Sequence, residues 1–252
     1  MLTAALLIAP LLLAQAPTKE QVQTTLTDIE TAFESKEISA ISNALERAAS
    51  VPDKKVVKAV SRALKDRRPE IRRAAVSSFR YLDHKDALEH LHKLTKSRKW
   101  MEEREVSAAI LRAIGQHGDP TSVQFLHKGH EQTPYYQPTR ARVFGLGNIR
   151  TKKAVDALIE LMNLDGASGN PHSKRRYDYL NHEFRLSLVV LTGVDQGTNP
   201  ELWAKWWRKN KKGFEISKKP TPLPKSLRDQ WDRYWGRSMG YSREKKREDR
   251  GS

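Results

Sequence analysis

Thr139–Met162 reads TRARVFGLGNIRTKKAVDALIELM. Ala141, Val143, Phe144, Leu146 and Ile149 form one apolar face, and Ala154, Val155, Ala157, Leu158, Leu161 and Met162 form another. Both follow the i, i+3, i+4 spacing of a one-sided helix. Between them Gly147-Asn148-Ile149-Arg150-Thr151 supplies a flexible residue and then a threonine suited to capping a helix start. The stretch therefore predicts two helices joined by a tight turn. A lone helical hairpin cannot bury such a face, so neighbours of the same kind are required.

The rest of the chain provides them. Phe79-Arg80-Tyr81-Leu82 precedes a turn, followed by Leu88 and Leu91. Thirty-five residues later Ile114-Gly115-Gln116-His117 does the same, followed by Val123 and Leu126, with His117 breaking the apolar pattern at its position. Thirty-two residues beyond lies Leu146-Gly147-Asn148-Ile149, then Val155 and Leu158. Backwards, Leu45 and Ala48 precede a turn, then Val57 and Val60. Thr18–Ser35 and Lys36–Ala49 read as the first two helices, and Pro69 suits the first turn of another. No alternation of apolar and polar residues competes for a strand. A period of this length marks a stack of helical hairpins.

The unit resembles the short HEAT-type repeat of bacterial proteins, found also in phycobilin lyases. Leu-Gly-Asn-Ile followed by AVDALIELM carries the resemblance, as does the helix start Pro69-Glu70-Ile71-Arg72-Arg73-Ala74-Ala75. It covers roughly residues 36–212. Leu191-Thr192-Gly193, Asp195, Gly197, Pro200, Trp203 and Trp206-Trp207 resemble the end of exported bacterial HEAT-repeat proteins. The resemblance implies an all-α, HEAT-like α-solenoid, a right-handed superhelix of about five helical hairpins used mainly for binding proteins. It brings no shared catalytic residues. The terminal motif also reads physically. Gly193 suits a left-handed helix end, and Asn199-Pro200 suits a helix start. Trp203, Trp206 and Trp207 form one stripe that can close the last face of a stack, the rival being an aromatic platform for a glycan or base.

The ends differ from the middle. Leu2–Ala16 is an apolar run broken by Pro10, too short for a confident membrane span. It reads as a secretory segment ending in Ala14-Gln15-Ala16, although no Lys or Arg precedes it. Residues 1–16 are thus a signal peptide or N-terminal anchor, giving a periplasmic or secreted protein in the first case and a membrane-anchored one in the second. No transmembrane span is expected in the mature chain. Residues 18–212 form the solenoid, 213–225 a Lys/Pro-rich linker, 226–238 an amphipathic helix with Leu227, Trp231, Tyr234 and Trp235 on one face, and 239–252 a charged disordered tail. The amphipathic helix docks back on the solenoid or grips a partner.

The chain of 252 residues carries a net charge of +16, and residues 208–252 hold 15 Lys/Arg against 6 Asp/Glu. This favours an acidic partner: a protein, or another polyanion such as nucleic acid or acidic glycan. Arg72, Arg73, Arg104, Arg112, Arg140 and Arg142 fall on the second helices of successive repeats, where they would form a continuous concave stripe. HEAT-like DNA glycosylases hold duplex backbone on such a face. The Tyr135-Tyr136 and Trp100 aromatics read as scattered away from the arginines. Lys174, Arg175 and Arg176 end a Gly/Asn/Ser-rich loop, 163–176, and are further binding candidates. There is no cysteine, which excludes disulfides and thiolate chemistry. His127 and His130 are i, i+3 with Glu131 adjacent, but no HExxH is present, and Gly145-x-Gly147 follows a helix and not a strand. Asp83, Asp86, Asp119 and Asp156 sit near turns and suit capping. No cofactor, metal or catalytic set is expected, and the function read from sequence is a non-catalytic scaffold, the alternative being a polyanion binder acting through the basic concave face; an enzyme of phycobilin-lyase or DNA-glycosylase type is disfavoured by the missing site motifs.

Overall fold

The computed structural model describes residues 16–132, 135–164, 176–219 and 222–236. Most of the N-terminal apolar run, Lys174, Arg175 and residues 239–252 lie outside them. The described helices are α1 Lys19–Ser35, α2 Ile38–Ala48, α3 Lys54–Ala63, α4 Pro69–Tyr81, α5 Lys85–Leu94, α6 Arg98–Glu102, α7 Arg104–His117, α8 Val123–His127, α9 Tyr136–Asn148, α10 Lys152–Met162, α11 Asn181–Thr192, α12 Pro200–Asn210 and α13 Lys225–Trp235. The described residues contain no strand, and the fold is an all-α solenoid with a docked C-terminal helix.

Local chemistry sets the helix starts. Thr18 and Gln21 form a reciprocal capping box on α1, Asp53 caps α3, Thr151 caps α10 and Asn199 caps α12. Pro69 and Pro200 occupy first-turn positions. Lys36, read from sequence as opening the second helix, instead ends the first, in the left-handed conformation at φ 61°. Of the capping aspartates, Asp119 does accept from the Thr121 amide, whereas Asp156 serves α12, as shown below.

Two rows of helices result. α2, α4, α7, α9 and α11 pack in succession against one another, while α1, α3, α5 and then α8, α10, α12 form the second row. The first row is the more tightly packed, which puts it on the inside of the curve. Its closest approach is α7 on α9. A Cβ on Gly115 would lie 2.3 Å from the Gly145 Cα, so only glycine allows the two backbones to meet. Gly147 is likewise a packing residue and not the hinge its turn position suggested. It lies within α9, and a Cβ there would fall 2.6 Å from that of Ser187 on α11.

The turn positions also link one repeat to the next. The His117 Nε2–H donates to the Phe79 carbonyl at 2.8 Å, and the Asn148 amide donates to the Gly115 carbonyl at 2.9 Å. His117 interrupts the apolar pattern because it satisfies a helix-end carbonyl of the preceding unit.

The last face is closed by α12. Trp203 and Trp207 are buried, and their indole N–H groups donate to the Gly197 carbonyl (2.8 Å) and to Asp156 (2.7 Å). Trp206 is only partly buried and lies edge-on to Phe214. Gly193 ends α11 at φ 72°.

Candidate functional site

One arginine from each of three successive inner helices meets at a single cleft. Arg80 on α4, Arg112 on α7 and Arg140 on α9 line an open cavity of about 430 Å³ whose floor includes Val76, Ala108, Ala109 and Ala141. The positions follow from helix periodicity. On α7, Glu105, Ala108, Ala109 and Arg112 are spaced i, i+3, i+4, i+7, so they share one face. Small residues on that face leave the space that the arginines border.

The second wall is α13. Leu227, Trp231 and Trp235 are buried. Tyr234 stacks on Phe144 at 3.8 Å between ring centroids, and Trp231 lies 5.6 Å from the same ring. The Trp235 ring reaches the Gly115 surface of α7. Arg80 donates to the Trp235 carbonyl at 3.1 Å and Arg112 to the Tyr234 carbonyl. Cations thus sit at the negative end of the α13 dipole and satisfy its last-turn carbonyls. Arg112 and Arg140 also stand over the Tyr234 ring, at 4.8 and 5.2 Å. Burial of that phenol pushes its pKa up to about 12, against the opposing effect of the arginines.

The sequence-derived stripe divides on this scaffold. Arg140 belongs to the cleft. Its Nε donates to Glu183 at 3.2 Å, and its two Nη nitrogens make no hydrogen bond among the described residues. Arg73 is exposed and pairs with Glu105 at 3.0 Å and Glu70 at 3.7 Å. Arg104 is exposed with its guanidinium 4.1 Å from the Tyr135 ring centroid. Arg72 turns away from the cleft. It donates to the Asp66 and Arg67 carbonyls, pairs with Glu103 and lies over Trp100.

Arg142 leaves the stripe altogether. It is 1% exposed and donates to the Phe125, Leu126, Lys128 and Gly129 carbonyls at 2.9–3.2 Å. It stands two residues from Arg140, on the opposite side of α9, where it holds the chain at the end of α8. Arg176 sits beside the Tyr177 hydroxyl, which also bonds His130 Nδ1 at 2.9 Å, and its backbone N–H meets the Leu164 carbonyl. It does not join the cleft. Arg80 was not singled out from sequence, although its i+7 relation to Arg73 along α4 carried the signal.

The tyrosines are interleaved with the arginines, contrary to the sequence reading. Arg104 covers Tyr135, and Arg140 lies 5.9 Å from Tyr136, which in turn meets Tyr179. Tyr136 donates its hydroxyl proton to Glu183. Trp100, by contrast, sits under Arg72 at a separate cleft with Asp66 and His90.

Three of the described histidines are held by local partners. His127 faces Glu160 at 3.3 Å, His130 bonds Tyr177, and His92 bonds Ser122 while stacked on Phe125. Among the described residues no three His, Asp or Glu side chains converge as a metal site would need, and no helix is long and apolar enough to cross a membrane.

These features define an α-solenoid of helical hairpins with a basic, aromatic-lined inner face. Residues 56–143, from α3 into α9, match the family model described as HEAT repeats. HEAT repeats commonly serve as protein-interaction scaffolds. No curated protein matches the chain.

Proposed function

We propose that this chain is a non-catalytic interaction scaffold that binds an acidic partner protein on its inner face. The observation that carries the reading is the convergence of Arg80, Arg112 and Arg140, from three successive repeats, on one open cleft with an apolar floor. Apolar floors and arginine rims are what protein interfaces use, and lone charge patches do not supply the floor. The buried ionisable groups support a structural economy and not a reaction: Arg142 holds carbonyls, and His130 holds Tyr177. The basic charge of the whole chain adds long-range attraction for the same partner. The apolar run Leu2–Ala16 supports export, so the partner belongs to the periplasm, the envelope or the exterior. Sequencing the N-terminus of the fractionated protein tests that part, with Pro17 as the first residue expected.

The binding reading is tested by site-specific photo-crosslinking. A photoreactive residue at Gln137, on the cleft rim, should capture a discrete acidic protein that persists at moderate salt. The same group at Lys58, on the outer row, should not. Recovery of only nucleic acid or glycan, lost as salt rises, would replace the protein partner by a polyanion.

A further inference from the structure

The open cleft and the docked helix are parts of one surface. α13 covers the C-terminal halves of α7 and α9 at Gly115 and Phe144, and the cleft occupies the adjoining stretch of the same helices. Tyr234 belongs to both, being packed on Phe144 and lining the cavity. We propose that α13 is the fixed wall of a composite site that takes an acidic peptide segment, with carboxylates on the arginines and apolar side chains on the alanine floor.

This rests on the scaffold reading and specifies its ligand. Three observations carry it. First, the arginines already act as oxygen receptors in cis, since Arg80 and Arg112 hold the terminal carbonyls of α13. Second, Arg140 has both Nη nitrogens without a hydrogen bond among the described residues, while its Nε is fixed by Glu183 and its Cζ lies 5.2 Å from the Tyr234 ring centroid. Such a guanidinium is oriented in advance and presents a fork suited to a carboxylate. Third, the floor of Val76, Ala108, Ala109 and Ala141 accepts apolar side chains, and Gln137 at the rim has an amide able to pair with a peptide backbone. The wall matters because Tyr234 holds Arg112 and Arg140 in place before any ligand arrives, which removes part of the ordering cost of binding. Removing α13 should therefore weaken binding, whereas a helix that merely plugged the groove would compete with the ligand.

The probe is a fluorescein-labelled peptide of alternating Glu and Leu, followed by fluorescence anisotropy with the full chain. Saturable binding is expected. Arg140→Gln should weaken it roughly tenfold, the loss of one charge-assisted hydrogen-bond pair. Ala109→Glu, which adds bulk and negative charge to the floor, should abolish it. Tyr234→Ala should also weaken it. Thermal melts and tryptophan emission identify any variant that fails to fold, and Ala109 lies about one turn ahead of Arg112, the α7 residue that holds α13. Unchanged binding in both Arg140→Gln and Ala109→Glu would overturn the site. Tighter binding in Tyr234→Ala would make α13 a plug and not a wall. A Glu-only peptide or a single-stranded oligo-dT that bound as tightly would overturn the mixed acidic and apolar ligand. If inner-face crosslinking at Gln137 succeeds while these variants bind normally, the scaffold reading stands and this site fails.

Discussion

Replacing Arg142 by methionine separates a structural arginine from a binding one. The native guanidinium is buried and donates to four carbonyls around the end of α8. Hydrogen bonds from a charged donor contribute about 1.5–3 kcal/mol each. Against this stands the cost of burying the cation, which is large enough to pull its pKa down to about 10. Methionine fills much of the volume and removes that cost, but it leaves the carbonyls without their donor. The balance is a loss of about 3–5 kcal/mol, since each buried carbonyl left without a donor costs about 1–3 kcal/mol and relief from burying the cation offsets part of the sum. For a chain of this size that is roughly 10 °C in melting temperature. Arg140→Met, two residues away, removes a partly exposed pair with Glu183 and should cost less than about 1 kcal/mol. Urea titrations of both variants, followed by circular dichroism, measure the difference. Acidic-peptide binding should survive in the folded Arg142 variant. If Arg142→Met unfolds like wild type yet fails to bind, the carbonyl-cage argument is wrong and Arg142 returns to the binding surface.

Gly115→Ala should cost about 2–3 kcal/mol, because its Cβ would fall 2.3 Å from the Gly145 Cα and force α7 from α9; a neutral result would show that the row can spread. Trp207→Ala should lose about 3–5 kcal/mol, since the ring is buried and its N–H bonds Asp156, while Trp206→Ala should lose less than half as much. Equal losses would make the three tryptophans one cap. His92 gives a pH dependence: burial lowers its pKa from 6.5 to about 4, so the unfolded chain takes the proton first. Stability from this group is complete above about pH 6.5 and declines as pH falls toward 4. The melting temperature should therefore drop on acidification, and His92→Gln should flatten the drop; an unchanged slope would assign it to other groups.

The helical hairpins, their period and most of their starts were legible in the chain because they rest on local physics. Apolar spacing, a capping Thr151 or Asn199 and a first-turn Pro69 act within a turn or two of helix, and residues 139–162 announce α9, a turn and α10, although α9 begins earlier, at Tyr136, and neighbouring helices bury it on nearly every side and not on one face. The amphipathic face of Leu227, Trp231 and Trp235 announced a helix that had to be covered, but not by what. Which arginines face a ligand was only half legible. Arg140 and Arg142 are i, i+2, so a single helix could not place both on one face, yet which of them was buried depended on where α8 ended against α9. Long-range pairings were invisible for the same reason. Arg104 meets Tyr135, Arg80 meets Trp235 and Gly115 meets Gly145 only after the rows have stacked. Periodicity assigns each side chain to a face, and the neighbouring helix then decides whether that face becomes core, cap or cleft.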